Sequence, residues 1–443
     1  MVVPFAGDRL VRMTFQLLKR FACRSIIPGC EEVFTALGDQ GVLDLVLAHA
    51  STEHGMAVPG LPFIELVMTH TRPVSPDGHR PRSTGPAVGA RCDAAAAGRV
   101  LPSNVYPLRP QNRVAGSGIG FGRAHETYRH ECVFYSGTDG FLGAALPFVR
   151  DGLARQEPVM VAVAEPRLQA LRSALGDDAG DVMFADMAQL GHNPALIIPA
   201  WRDFTDRHSG AGRPVRGIGE PIWASRRPAE IQEAQLHEAL LNVAVPPDTP
   251  LWLLCPYDTT ALDHEIIAEA QRSHPVLVQT NTYRASTHYG GAAHAEQFFG
   301  RPLPPPLSPT MVIPFDPHHR HVRRTLDAAT SAGLPVYRAT RLAVAVDELA
   351  HAADQHSARV TIRLWHDQTG MIGEITDPGT VHDPMIGRGP GSGPFPPRER
   401  AIRLANELCD LVQIRSGPTG TTSRIHTWRK PDRVNLPSHP RVM

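Results

Sequence analysis

The sequence predicts an α/β protein with two folded modules, a doubly wound parallel sheet followed by a smaller C-terminal α/β sandwich. Between residues 130 and 279, short apolar segments alternate with segments of helical spacing, as in parallel sheets covered by helices on both faces. Between residues 358 and 376, apolar and polar residues alternate around a turn, which indicates an antiparallel hairpin. The 443 residues include 42 Pro and 38 Gly, so long irregular segments are expected between the folded parts.

The N-terminal residues 1–125 give the weakest pattern. A short amphipathic stretch covers 10–22 and a helix is expected over 31–49, whereas 71–125 is rich in Pro, Gly, Arg and Ala. Such a composition buries little apolar surface, so we expect the region to be poorly ordered. The six cysteines show no CxxC spacing, and Cys23 and Cys30 are expected to be ordinary thiols. This argues against a metal site or a disulfide framework and favours a reducing cytoplasm.

Charge and hydropathy exclude several function classes. Lys and Arg together number 44, as do Asp and Glu, so the formal net charge is zero. This balance argues against binding of nucleic acid or of an anionic membrane surface by the whole protein. No apolar run reaches the ~18 residues of a membrane span, and the N-terminus lacks the pattern of a signal peptide. We therefore expect a cytoplasmic protein without direct nucleic-acid or membrane partners.

The first folded module is expected over residues 126–284, with strands and helices in strict alternation. The predicted elements in chain order are strand 130–136, helix 139–156, strand 158–164, helix 166–175, strand 181–185, helix 194–208, strand 214–219, helix 228–243, strand 251–255, helix 260–273 and strand 276–279. The strand 158–164 is apolar throughout, as expected of a strand buried on both faces. Residues 285–307 contain a Gly pair and four prolines, which predicts a linker.

The second module is expected over residues 308–428, followed by a polar tail over 429–443. Its predicted elements are strand 311–315, helix 317–332, helix 339–356, strands 358–366 and 370–376, a Gly/Pro-rich loop 377–397, helix 398–410, and strands 411–416 and 420–427.

Three segments of the second module carry a family resemblance. They are Asp347-Glu348-Leu349 on a helix, Asp377-Pro378-Gly379 at a strand end, and 404–422, which ends in Gly417-Pro418-Thr419-Gly420-Thr421-Thr422. In this order they resemble the GHKL, or Bergerat, ATP-binding fold, and specifically the anti-sigma-factor serine/threonine kinases. The resemblance covers about 120 residues and implies ATP as the cofactor.

The same resemblance implies roles for individual residues. Asp377 would accept a hydrogen bond from the adenine amino group, and Gly379 would let the backbone approach the base. Thr421 or Thr422 would support the adenine site. Glu348 would be the general base that polarises the attacking hydroxyl or water.

Two positions depart from the family pattern. The family has a magnesium-binding asparagine four residues after the glutamate, and this chain has Ala352, which offers no oxygen ligand to a hard cation. The family's glycine-rich phosphate loop is replaced by 397–402, which contains no glycine. Arg398 or Arg400 could hold phosphate instead. We therefore expect ATP binding with little dependence on Mg²⁺ and weak or absent phosphotransfer.

The first module resembles the MEDS sensory domain. The resemblance rests on strand 131–136, Gly219-Glu220-Pro221, segment 235–242 and Cys255-Pro256-Tyr257-Asp258. Ligands of open parallel sheets lie beyond the carboxyl ends of the strands, so Glu220 and Asp258 are candidate ligand contacts. The alternative is that both cap the following helices. His237 and Glu238 form a second candidate pair, for which a packed helix histidine is the alternative.

Together the two resemblances imply a regulatory protein in which a sensory domain controls a serine/threonine-kinase-like domain. The implied partners are a sigma factor or an anti-anti-sigma protein and an unidentified small-molecule signal, and a homodimer is left open. An alternative is a degraded GHKL module that binds protein without transferring phosphate. A sensor histidine kinase is disfavoured because the Pro-rich segment 302–309 offers no phospho-acceptor helix. Direct DNA binding is disfavoured because no helix-turn-helix lies beside a basic patch.

Overall fold

The computed structural model describes residues 18–27, 29–54, 67, 70–73, 127–279, 282–306, 310–355, 359–389 and 395–429. These residues form three sheets of three, seven and five strands. None of the helices within the described ranges is both long and apolar enough to cross a membrane.

The N-terminal module differs from the expectation of poor order. Its elements are β1 (Leu18–Ala22), β2 (Val33–Leu37), α1 (Gly38–Glu53) and β3 (Arg72–Pro73), with antiparallel strand order β2-β1-β3. The helix expected over 31–49 is instead a strand followed by a helix, because Val33–Leu37 pairs along its whole length with β1. Phe21, Leu43 and Leu47 form its core. Residues 10–17 of the predicted amphipathic stretch 10–22, and all of 74–125, lie outside the described residues.

The central sheet confirms the predicted doubly wound architecture. Its strands are β4 (Arg129–Tyr135), β5 (Val159–Val163), β6 (Val182–Asp186), β7 (Val215–Gly219), β8 (Leu251–Asp258), β9 (Val276–Gln279) and β10 (Thr282–Ala285). The spatial order is β10-β9-β4-β8-β7-β5-β6, parallel except for the edge strand β10. The connecting helices are α2 (Gly137–Ala154), α3 (Arg167–Leu175), α4 (Met187–Leu190), α5 (Ile197–His208), α6 (Pro228–Ala244) and α7 (His264–Ser273).

Helices cover both faces of this sheet. Phe141 of α2 and Leu171 of α3 belong to the core on one face, together with Val161. Trp201 of α5 and Leu240 of α6 belong to the core on the other face. The strands are therefore buried on both sides, which is why their sequences are continuously apolar rather than alternating.

The predicted linker is wrong for much of its length. Residues Gly291–Gly300 form helix α8, and Phe298 and Phe299 are buried. Helix α8 packs against α6 and α7 of the central domain and against the C-terminal sheet. The Gly pair that suggested a flexible segment lies at the start of this helix, and Gly291 has a φ of 57°.

The C-terminal domain is a two-layer sandwich whose elements lie close to the predicted positions. The elements are β11 (Met311–Pro314), α9 (Arg320–Ser331), α10 (Val336–Asp354), β12 (Thr361–His366), β13 (Gly370–Asp377), α11 (Pro397–Leu408), β14 (Leu411–Gly417) and β15 (Gly420–Trp428). The strands are antiparallel in the order β11-β12-β13-β15-β14. Helices α9, α10 and α11 pack on one face.

The other face of the C-terminal sheet is polar but buried, because the central domain covers it. Residues Gln413, Arg415, Arg424, His426 and Trp428 each expose less than a tenth of their surface. The indole of Trp428 donates to Glu230 of α6 at 3.0 Å, and the Gln413 amide donates to the Ala229 carbonyl at 3.4 Å. The two domains thus share a buried polar interface.

Candidate functional site

The predicted adenine loop follows the end of β13 and is held by hydrogen bonds. The Gly379 amide donates to Asp377 Oδ1 at 2.8 Å, and the Thr421 hydroxyl donates to the Gly379 carbonyl at 2.7 Å. Thr421 faces Asp377 in the strand register, whereas Thr422 lies opposite Thr376. Of the two threonines, Thr421 is therefore the one that contacts this loop.

Gly420 explains why the last hairpin can lie against the adenine loop. Its φ is 117°, and a Cβ atom there would lie 2.1 Å from the Asp377 carbonyl oxygen. Only glycine tolerates both conditions. The terminal Gly-Pro-Thr-Gly-Thr-Thr sequence thus serves as the turn that brings Thr421 to Gly379.

Arg398 is a residue of this site that the sequence analysis placed elsewhere. Its guanidinium donates to Asp377 Oδ1 at 2.8 Å, and both side chains are buried. The sequence interpretation offers Arg398 or Arg400 for phosphate, but Arg398 contacts Asp377, the predicted adenine contact, and Arg400 is exposed. In this conformation Asp377 Oδ1 already accepts two hydrogen bonds, from Gly379 and from Arg398.

The predicted general base and magnesium position lie on α10. Glu348 is half-buried and Ala352 is buried one turn later. Next to Glu348, Asp347 accepts hydrogen bonds from His319 Nδ1 at 2.9 Å. Burial opposes ionisation of Asp347, but hydrogen bonds from His321 and His319 hold its pKa below its usual range.

The loop between β13 and α11 contacts the helix that follows it. The Gly387 amide donates to Glu399 at 3.0 Å, and a Cβ atom on Gly387 would lie 2.3 Å from Ile402. The carbonyl of Gly387 accepts from Asn406 at 3.3 Å. The loop is thus packed onto α11, and we call its segment 378–389 the lid.

The lid is tied to the central domain by a buried ion pair. Arg388 of the lid and Arg415 of β14 both donate to Glu233 of α6, Arg415 at 3.0 Å. Glu233 is fully buried, and burial lowers the pKa of Arg388. A second link joins Asn193 of the central domain to the Asn406 side chain at 3.0 Å. Helix α6 and the lid are therefore in direct contact.

Glu220 and Asp258 lie together at the carboxyl edge of the central sheet, as the parallel topology requires. Arg167, at the start of α3, bridges them, 3.5 Å from Glu220 and 2.8 Å from Asp258. The Tyr135 hydroxyl donates to Glu220 at 2.6 Å. Burial raises the pKa of Glu220 to about 7, although Arg167 and Tyr135 oppose this shift.

Neither residue caps the following helix, because the N-cap residues of α6 and α7 are Arg227 and Asp263. Asp258 accepts from the backbone amide of Thr260 at 3.1 Å and from its hydroxyl at 2.6 Å, so it fixes the turn after β8. Glu220 has no such local bond, and its Oε2 is buried without a hydrogen-bond partner among the described residues. Glu220 is therefore the stronger ligand candidate of the pair.

His237 and Glu238 have different surroundings. His237 is buried, and burial lowers its pKa to about 3. Glu238 instead contacts His130 at 3.0 Å and His274 at 3.2 Å, with Cys255 also adjacent to His130 at 3.4 Å. Sequence spacing could not reveal this cluster, because its members come from four separate elements.

Comparisons with known families match three segments of the chain. Residues 129–275 match the MEDS family, the methanogen/methylotroph DcmR sensory domain. Residues 314–427 match the histidine kinase-like ATPase domain. Residues 18–60 match a family of proteins of unknown function, DUF1059, which the sequence analysis did not recognise. A comparison with curated proteins finds no match. The chain therefore combines a MEDS sensory domain with a C-terminal histidine-kinase-like ATPase domain, in the order that its sequence predicts.

Proposed function

We propose that this protein is an anti-sigma-type regulator, in which the MEDS domain senses a small-molecule signal and the ATPase domain controls a sigma factor or its antagonist. The observation that carries the proposal is the buried ion pair of Glu233 with Arg388 and Arg415. It joins the sensory helix α6 to both the lid and the sheet of the ATPase domain.

The coupling rests on the cost of separating these groups. Glu233, Arg388 and Arg415 are all buried, so moving one partner away leaves an uncompensated charge in a poorly solvated place. Such an arrangement favours a small number of discrete positions for α6 and the lid over gradual displacement. A signal bound to the MEDS domain would favour one position and thereby change nucleotide binding.

The nucleotide in this proposal is ATP, with its adenine at Asp377 and Gly379 and support from Thr421. Glu348 is the only protein group to which we assign base chemistry. Magnesium has a minor role because Ala352 contributes no oxygen ligand, and Mg²⁺ is bound through oxygen ligands.

A second candidate function is a protein-binding switch that never transfers phosphate. Two observations favour it, the alanine at position 352 and the hydrogen bond from Arg398 to Asp377. In that case ATP would only stabilise one conformation of the lid. The partner protein would bind only that conformation of the lid.

The experiment uses the full chain with the sigma factors and anti-anti-sigma proteins of the same genome. Binding of each is measured with and without ATP, and transfer of the labelled γ-phosphate is followed in the same samples. ATP-dependent binding of one of them supports the regulator, and absence of transfer favours the switch. If ATP binds and none of these proteins does, the sigma-factor assignment is wrong, whereas robust transfer rejects the switch.

A further inference from the structure

Four side chains of metal-ligating type meet inside the MEDS domain. They are His130 of β4, Glu238 of α6, Cys255 of β8 and His274 just after α7. Each exposes 2% of its surface or less. One ligand atom from each lies within 4.8 Å of the others. They therefore surround one point in the protein interior.

The separations of the ligand atoms lie close to the edges of a tetrahedral metal site, two of them slightly shorter. His130 Nε2 lies 3.0 Å and His274 Nε2 lies 3.2 Å from Glu238 Oε2, and Cys255 Sγ lies 3.4 Å from His130 Nε2. Metal–ligand bonds of about 2.0–2.3 Å give ligand–ligand edges of roughly 3.3–3.8 Å. A small rearrangement of side chains is sufficient to place an ion at the centre.

Hydrogen bonds on the outer side of each imidazole fix its orientation. Asn242 donates its amide N–H to the Ser273 carbonyl at 2.7 Å, so its Oδ1, 3.1 Å from His130 Nδ1, accepts a hydrogen bond from that ring. His274 Nδ1 donates to the Ala270 carbonyl at 2.7 Å. A neutral ring protonated at Nδ1 presents the Nε2 lone pair to the centre, which is the orientation of metal-bound histidines.

The Nε2 lone pairs of His130 and His274 therefore face the carboxylate of Glu238, which also offers only lone pairs. Glu238 Oε1 and His274 Nε2 have no hydrogen-bond partner among the described residues. Such groups are costly to bury unless a cation lies between them. A divalent ion with one carboxylate and one thiolate gives a neutral site, which suits a fully buried position.

We propose that His130, Glu238, Cys255 and His274 bind one Zn²⁺-type divalent ion inside the MEDS domain. Four protein ligands leave no open position, so the site is structural or sensory rather than catalytic. Glu238 lies on the same helix as Glu233, which holds the lid. Occupancy of the site would therefore fix α6, and this coupling, unlike the metal site itself, rests on the proposed function.

A second cluster carries an independent proposal in the N-terminal module. Cys30 Sγ lies 3.2 Å from His49 Nε2, and Cys23 Sγ lies 3.6 Å from His54 Nε2. All four ligand atoms lie within 4.8 Å of one another, and neither cysteine forms a disulfide. This donor set is that of a structural zinc site, and the module is small enough to need such a link. We propose that these residues bind a second Zn²⁺, contrary to the expectation of ordinary thiols.

Metal stoichiometry tests both sites in the full-length protein. The chain is reconstituted with Zn²⁺, dialysed and analysed for metal by mass spectrometry, and Co²⁺ replaces Zn²⁺ in parallel to reveal thiolate ligation by its charge-transfer absorption. We expect two equivalents for the unmodified chain, one for Cys255→Ser, one for Cys30→Ser and none for the double variant. Cys132→Ser serves as the control. Cys132 is a buried cysteine of β4 outside both clusters, so this variant should keep two equivalents of metal.

Each outcome decides one site. Retention of two equivalents by Cys255→Ser overturns the MEDS site, and retention by Cys30→Ser overturns the N-terminal site. Circular dichroism of each variant reports whether it folds. Should Cys255→Ser unfold, the Cys30→Ser variant still decides, because it must keep one tightly bound ion and a cobalt–thiolate band. A metal-free Cys30→Ser protein would overturn the MEDS site.

Discussion

At the scale of residues, the contact between Arg398 and Asp377 changes what is expected of the predicted adenine site. The family resemblance identifies Asp377 from its Asp-Pro-Gly sequence, but it does not reveal that a guanidinium lies on the carboxylate. That contact depends on where α11 begins relative to β13. Local spacing carries no such information, because the two residues are separated by the whole lid.

Two opposite substitutions test this contact. Asp377→Asn should weaken ATP binding by roughly 1–3 kcal/mol, the cost of spoiling a buried hydrogen bond. Arg398→Ala should strengthen it by a similar amount, because the carboxylate becomes available to the adenine amino group. Affinities are measured by calorimetry on the full chain, with the exposed Arg359→Ala as control. Weaker binding by Arg398→Ala would show that Arg398 holds the nucleotide instead of competing with it.

The raised pKa of Glu220 leads us to expect that the stability of the protein depends on pH. Burial raises its pKa from 4.5 to about 7 in the folded protein, so between these values the folded state binds more protons than the unfolded state. The free energy of unfolding should therefore fall as pH rises through this window. The loss attributable to Glu220 is roughly 3 kcal/mol, the equivalent of the shift.

Urea unfolding at about pH 5 and about pH 8 measures this effect. Glu220→Gln should flatten the dependence, whereas Glu265→Gln, an exposed glutamate of the same domain, should leave it unchanged. Arg167, Asp258 and Tyr135 face Glu220 and remain in both variants. Equal slopes in the wild type and in Glu220→Gln would refute the buried ionisable role of Glu220.

At the scale of elements, the sequence predicted the periodic segments well and the irregular ones poorly. Helices α2, α3, α5 and α6 and strands β4 to β7 lie within about three residues of the predicted positions, because their apolar spacing is regular. Helix α8 was missed, since its Gly and Pro neighbours resemble a linker. Strand β2 lies where the sequence predicts a helix, because its five residues are too few to show a clear spacing of apolar side chains.

Helix α8 gives a testable consequence at this scale. Phe298 is buried and Arg415 stacks over its ring at 5.6 Å. Phe298→Ala should destabilise the chain by roughly 3–5 kcal/mol and make 285–306 sensitive to protease. The exposed Glu296→Ala on the same helix is the control. Rapid cleavage of the unmodified protein within α8, leaving two stable fragments, would restore the linker interpretation.

At the scale of the whole molecule, a buried interface joins the central domain to the C-terminal sheet, whereas the sequence suggests two separate modules. Polar and apolar residues alternate along the strands of the C-terminal sheet. This pattern indicates that one face is polar, but it does not show that another domain covers that face. Glu233, Trp428 and Asn406 carry no motif that would have identified them. Their role follows only from the packing of α6 and α8 against this sheet.

The central claim is that α6 transmits the state of the MEDS domain to the lid through Glu233. The most direct test is a double-mutant cycle on ATP affinity, measured by calorimetry for the wild-type protein, Glu233→Gln, Arg388→Gln and the double variant. We expect each single variant to change the affinity and the two effects to be non-additive by roughly 0.5–3 kcal/mol, because the residues are in contact. Unchanged affinity in Glu233→Gln, or strictly additive effects, would contradict the claim.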